Sequence, residues 1–345
     1  MRLFLVSIFL FGSLKAFGQY SQRQVGRCTV FTIPFENDSA TFAVNVPPAE
    51  LKAPKAILLF RQGSLPIPLF TKDSKSQVPA LTELPGTFST YKAEYYSIII
   101  AKPGVPLVVD ESYLDSLFSS SHSARRNSFS ATYFAHNYLD YYVRQTNAVL
   151  AFLVQQPWVD AKRVALVGGS EGYHVAIKTA YTNPKVTHLV AFSGSLEGRL
   201  QGMIRTERTK GYTGEYTQEE AQRRVEELQK EWVAICADSL NTRSITGDPN
   251  RTMYSFSHNQ NINYLLALTI PICIVYGAAD VHAHSNDILP LEFARRKKTN
   301  LTVKVYPGHD HTFHKITYDS AGKAIRKAYN GEQVQHDYLE WLMQH

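Results

Sequence analysis

A serine flanked by glycines two residues away on either side, at the junction of an apolar run and helix-forming sequence, is the part of this chain best suited to covalent chemistry. Arg163–Ala176 reads RVALVGGSEGYHVA. Val164–Val167 has the character of a buried strand, and the residues after Gly172 can run helical to about Asn183-Pro184. Ser170 then projects from a sharp strand-to-helix turn, which Gly168 and Gly172 keep free of side-chain collisions. The Glu171 amide N–H, at the start of the new helix, is placed to stabilise negative charge on a reacting carbonyl oxygen. The pentapeptide offers a nucleophile and half of an oxyanion hole.

A serine hydroxyl attacks a carbonyl only when a base removes its proton, and the base in turn needs an orienting carboxylate. Pro271–Asp280 (PICIVYGAAD) is an apolar strand ending in a Gly-rich turn with Asp280 at its tip. Leu301–Phe313 (LTVKVYPGHDHTF) is a second strand whose Pro-Gly turn carries His309 and His311. Strand tips on one edge of a parallel sheet converge, so Asp280 and a histidine can meet at Ser170. Each choice has a competitor: His309 for the base and Glu197, after the strand Thr187–Phe192, for the acid. Asp310 suits a local turn, and Asp287 a capping or solvated place in a helix starting near Ser285. His282-Ala-His284 opens like a zinc-hydrolase motif but continues Ser-Asn-Asp, so no metal is expected.

The elements that must position these groups alternate strand-like and helical runs, the pattern of a sheet covered by helices on both faces. Strands are expected at Thr41–Val46, Ala56–Phe60, Tyr96–Ala101, Val164–Val167, Thr187–Phe192, Ile272–Tyr276 and Leu301–Tyr306. One long helix is expected over Ala131–Gln156, ended by Pro157. About 196–268 is too long for a simple crossover and carries its own helix. Thr217–Glu220 forms a capping box there, followed by Ala221, Val225, Leu228, Trp232 and Ile235 on one face. Its position beside the serine suggests a lid shaping a substrate pocket.

Composition bounds the rest. The chain has 345 residues and a formal charge of +6, but the basic residues are scattered. Arg295–Lys298, the one dense cluster, reads as a solvated helix end, so no nucleic-acid partner is expected. Met1-Arg2, the apolar run Leu3–Leu14 and Ala16-Phe17-Gly18 read as an export signal, residues 1–18, cleaved after Gly18. The run is shorter than the ~20 residues a membrane span needs, so the mature protein is expected to be secreted or periplasmic without stable membrane insertion. Three cysteines are too few for a disulfide framework: Cys273 suits a buried strand, and a Cys28–Cys236 bridge stays open.

With these residues in hand, the chain resembles the α/β-hydrolase superfamily in the order nucleophile, acid, histidine, over roughly Ala56 to the C-terminus. The resemblance implies an α/β fold, a mostly parallel central sheet with helices on both faces, in one domain over 19–345 with a helical lid insertion at about 196–268. It matches Ser170 to the nucleophile, Asp280 to the acid and His311, in a Gly-x-Asp-His-x-Phe setting, to the base. It adds a second oxyanion donor from the loop after Ala56–Phe60, here the Ser64 amide, although Gln62 replaces the His-Gly start common in relatives. The implied activity is cofactor-free cleavage of a carboxylic ester. Peptidase, amidase or thioesterase chemistry uses the same groups, and an inactive binding protein is the alternative of another class.

Overall fold

A computed structural model of the chain describes residues 20–345, apart from 73–74, 76–77, 120–128, 244–246, 259, 321 and 323. The proposed export signal, residues 1–18, lies outside the described residues. No described helix is long and apolar enough to cross a membrane.

Nine strands form the main sheet. Strands β1 (Ser21–Val25), β2 (Cys28–Phe35) and β3 (Asp38–Val44) make an antiparallel meander whose last strand pairs antiparallel with β7 (Tyr95–Ile100). From there pairing is parallel, through β4 (Lys55–Arg61), β9 (Val159–Gly169), β10 (His188–Phe192), β11 (Ile272–Gly277) and β12 (Leu301–Tyr306). The smaller strands β5 (Phe70–Lys72), β6 (Ala80–Leu81) and β8 (Val108–Asp110) form a separate three-stranded sheet.

The central strands are apolar on both faces because helices cover both. Ile57, Leu59, Val164, Leu166, Leu189, Ala191, Ile272 and Ile274 face one core, together with the helices Leu139–Leu153 and Glu171–Thr182. The alternate residues Leu58, Phe60, Ala165, Val167, Val190, Cys273 and Val275 face a second core closed by the C-terminal helix Gly331–Gln344. Parallel pairing sends the ends of β4, β9, β10, β11 and β12 to one edge, where the candidate residues lie.

Several expectations change. The single helix over Ala131–Gln156 is two, Ala131–His136 and Leu139–Leu153. The break at Asn137-Tyr138 carries no glycine or proline; it is held by tertiary bonds, with Ser255 Oγ accepting from the Leu139 N–H at 3.1 Å and Tyr142 donating to the Asn137 side chain at 2.9 Å. Cys28 and Cys236 are not bridged: all three cysteines are free, Cys28 and Cys273 buried and Cys236 exposed. After the histidine loop, β13 (His314–Tyr318) and β14 (Ala324–Tyr329) form a hairpin whose polar, exposed sequence carries no strand signal.

Among the described residues between β10 and β11 lie four helices, Arg199–Tyr212, Gln218–Ala237, Asn250–Ser257 and Asn261–Ala267. The first three pack on one another, whereas the fourth packs on Glu171–Thr182 and belongs to the layer covering the sheet. The Thr217 hydroxyl accepts from the Glu220 N–H at 3.1 Å, as the capping box requires. The Glu220 carboxylate instead turns to Arg223 and Arg224. Ala221, Val225 and Ile235 are buried, with Trp232 stacked on Tyr254.

Candidate active site

Ser170 sits between β9 and the helix Glu171–Thr182 with φ +53° and ψ −116°, a conformation that L-residues other than glycine seldom adopt. Its backbone is over-determined: Ser170 N–H donates to Phe192 O at 3.0 Å, and Ser170 O accepts from Tyr173 N–H at 3.1 Å. The neighbouring glycines are steric necessities. A Cβ on Gly168 would lie 2.1 Å from Gly172 O, and one on Gly172 would lie 2.0 Å from Arg61 O. The strain holds the serine side chain at the sheet's carboxyl edge.

His311 reaches Ser170 from the loop after β12. Its Nε2 is 3.1 Å from Ser170 Oγ, and its Nδ1 is 2.7 Å from Asp280 Oδ2. A carboxylate only accepts, so Nδ1 carries the proton and Nε2 is left to accept from the serine hydroxyl. Asp280, buried in the turn after β11, also accepts from the His282 N–H at 3.1 Å through its other oxygen. Burial alone would lower the His311 pKa, but the hydrogen bond and charge of Asp280 outweigh it and hold the ring above the ordinary histidine value. The histidine loop has a support that sequence reasoning missed: Ser193, at φ +48° after β10, donates its hydroxyl to His311 O at 2.7 Å.

The competitors occupy other places. His309 is buried, its Nδ1 against Pro307 O at 2.9 Å and its Nε2 3.0 Å from Asn330 Nδ2. Asp310 accepts from the backbone N–H groups of Thr312 and His314, organising the turn as expected. Glu197 pairs with Arg205, and Asp287 is exposed, as a solvated place implies, where it accepts from the Tyr276 hydroxyl. No group of three metal-ligating side chains occurs among the described residues.

The loop after β4, Gln62–Ser64, packs against the serine: a Cβ on Gly63 would be 3.5 Å from Ser170 Cβ. The Tyr133 hydroxyl donates to Ser64 O at 3.1 Å, fixing that peptide on the cleft wall. The Glu171 N–H is the first amide of its helix, a position with no intrahelical partner.

These groups open into a cleft of about 900 Å³. Leu65, Pro66, Phe129, Tyr133, Met253 and Phe256 supply its apolar lining, and Arg199, Asp248 and Glu231 from the insertion add charge. Phe256 lines the cleft, while Tyr95, Tyr96 and Tyr173 are core. Tyr133, which does line it, lies within the long helix expected over Ala131–Gln156, and Phe129, which also lines it, lies just before that stretch. Two further histidines face the cleft. Burial lowers the pKa of both, that of His174 to about 4 and that of His282 as well.

No family profile matches the sequence, and no curated protein matches it. Among solved structures, a candidate dipeptidyl aminopeptidase IV from Bacteroides ovatus superposes over 94% of this chain with a TM-score of 0.52 and 11% identity. This chain spans 35% of that protein's length. Acetyl xylan esterase 1 from a Thermoanaerobacterium species covers 85% of this chain and 82% of its own at 13% identity, with a TM-score of 0.49. At such identities the likeness speaks to the fold. With six strands in parallel register, helices on both faces and the first of these superpositions, the chain has the fold of the α/β-hydrolase superfamily.

Proposed function

We propose that the chain is an exported serine hydrolase that cleaves a carboxylic ester through Ser170, His311 and Asp280. The observation that carries this reading is the unbroken relay from Ser170 Oγ through the His311 ring to Asp280, at 3.1 and 2.7 Å, on a serine held in strained backbone. Inactive relatives of a fold have no need of both.

The chemistry follows from these groups. His311 Nε2 takes the hydroxyl proton as Ser170 Oγ bonds to the ester carbonyl carbon, and the carbonyl electron pair moves to oxygen. The Glu171 and Ser64 amides stabilise that oxyanion, while Asp280 stabilises the imidazolium. The intermediate collapses as His311 gives its proton to the departing alkoxide. Water, deprotonated by His311, then attacks the acyl-enzyme and releases the acid with Ser170 restored. The apolar lining from Leu65, Pro66, Tyr133, Met253 and Phe256 supports an uncharged acyl or aryl group next to the carbonyl.

A panel of esters of graded chain length, aminoacyl amides and acyl thioesters, with Ser170→Ala as control, tests this reading. Ester turnover that disappears in Ser170→Ala supports it. Preferred turnover of amides or thioesters changes the substrate class, and equal turnover in Ser170→Ala removes the mechanism. The insertion is proposed as the wall of the substrate cleft, and residues 1–18 as an export signal. N-terminal sequencing of exported protein is expected to begin at Gln19.

A further inference from the structure

The mechanism uses the backbone of Glu171 and leaves its carboxylate without a role. That carboxylate is 2% exposed and held from two sides. Lys102, two residues after β7 and 1% exposed, donates from Nζ to Oε1 at 3.0 Å. Arg199, the first residue of the insertion's first helix, donates from Nη2 to Oε2 at 2.7 Å. Arg199 Nη1 continues to Asp248 Oδ2 at 2.5 Å, and its guanidinium lies 5.1 Å over the Phe256 ring. A line of alternating charges therefore runs from the sheet, through the residue after the nucleophile, into the insertion. Arg61, Tyr142 and His174 also lie close to Glu171, and Glu83 close to Lys102, with the Arg61 guanidinium 5.1 Å over the Tyr142 ring.

A buried ion pair is a weak source of stability, because desolvation consumes most of its Coulomb energy, and an apolar replacement is often as stable. What such a pair does well is define geometry. Glu171 is the first residue of its helix and lines the cleft, so directional bonds to both carboxylate oxygens fix its side chain and, through it, the peptide to which the mechanism assigns the oxyanion. An oxyanion donor is worth most when it is aimed before the charge forms.

Resting on the serine-hydrolase reading, we propose that Glu171 is a positioning residue for acyl transfer. Its carboxylate, clamped by Lys102 and Arg199, aims the amide that receives the oxyanion, and Arg199 is the link through which the insertion sets that aim.

The test compares native protein with Arg199→Gln, Arg199→Lys and Glu171→Gln. For each, kcat and KM are measured on p-nitrophenyl acetate, together with the rate of labelling by a fluorophosphonate probe and the thermal midpoint. Arg199 is partly exposed, so its variants keep the test alive if Glu171→Gln does not fold. The expected result for Arg199→Gln is a loss on the order of tenfold in both kcat and labelling rate with KM nearly unchanged, and substantial recovery in Arg199→Lys. A raised KM with native kcat makes Arg199 a substrate contact and overturns the proposal. A lowered thermal midpoint with native kcat and labelling makes the clamp scaffold and overturns it too. Native protein that resists the probe removes the hydrolase reading as well, which separates that failure from these two.

Discussion

Gly172→Ala tests how closely the oxyanion loop must lie against the serine turn. The new Cβ would sit 2.0 Å from Arg61 O, 2.7 Å from Arg61 C and 2.9 Å from Gln62 O, all backbone atoms that cannot swing aside as a side chain can. Ordinary contact begins at about 3.4 Å, so the start of the helix and the end of β4 must separate by about 1.4 Å. Ser170 rides on one of these segments and the Ser64 amide on the other. A misplacement of about 1 Å in a reacting constellation costs on the order of 100-fold, and overpacking of this kind costs about 1–3 kcal/mol of stability. We therefore expect kcat/KM on p-nitrophenyl acetate to fall at least about 100-fold in Gly172→Ala while the protein remains folded by circular dichroism. Gly86→Ala is the control: nothing lies within 4 Å of its Cβ position, so its activity should be native and its stability within about 0.5 kcal/mol of native. A folded Gly172→Ala with activity within a fewfold of native would refute the claim that the two segments jointly build the reacting site.

Other expectations follow from the same geometry. Asp280→Asn should lower kcat on the order of 10³–10⁴-fold, since an amide cannot hold the His311 tautomer as a carboxylate does. Because turnover needs neutral His311 and its pKa is raised, the acid limb of kcat/KM should lie above the ordinary histidine value of about 6.5 and move down in Asp280→Asn; an unmoved limb assigns it to another group. His174 is neutral in the fold down to a pKa of about 4, whereas the unfolded chain takes up the proton near pH 6.5. Stability should therefore fall as pH drops between these values, with a shallower slope in His174→Gln by thermal denaturation. A thiol reagent applied to native protein should modify Cys236 alone, since Cys28 and Cys273 are buried with thiols pushed up to about 12; rapid loss of all three would contradict their placement.

The strands that build the catalytic edge were legible because they are short, apolar and closed by turns. Val164–Val167, Ile272–Tyr276 and Leu301–Tyr306 fall inside β9, β11 and β12, which carry Ser170, Asp280 and His311 at their ends. What stayed hidden depends on partners distant in sequence. The meander strand β2 contains Pro34, which reads against a strand; it lies beyond the stretch paired with β1, which ends at Thr32, and has only β3 beside it. The break at Asn137-Tyr138 comes from bonds supplied by Tyr142 and by Ser255 of the insertion, and no local breaker marks it. Lys102 and Arg199 carry no motif, and only folding brings them to Glu171. Ser193 likewise reads as an ordinary strand-end serine until the His311 loop arrives above it.

The central claim is that Ser170 is a nucleophile activated by His311. Intact-protein and peptide mass spectrometry after exposure to a fluorophosphonate probe tests it most directly. The account predicts a single adduct, located on Ser170, which disappears in Ser170→Ala and forms far more slowly in His311→Ala. An unmodified native protein, or an adduct on another residue that persists in Ser170→Ala, would contradict it.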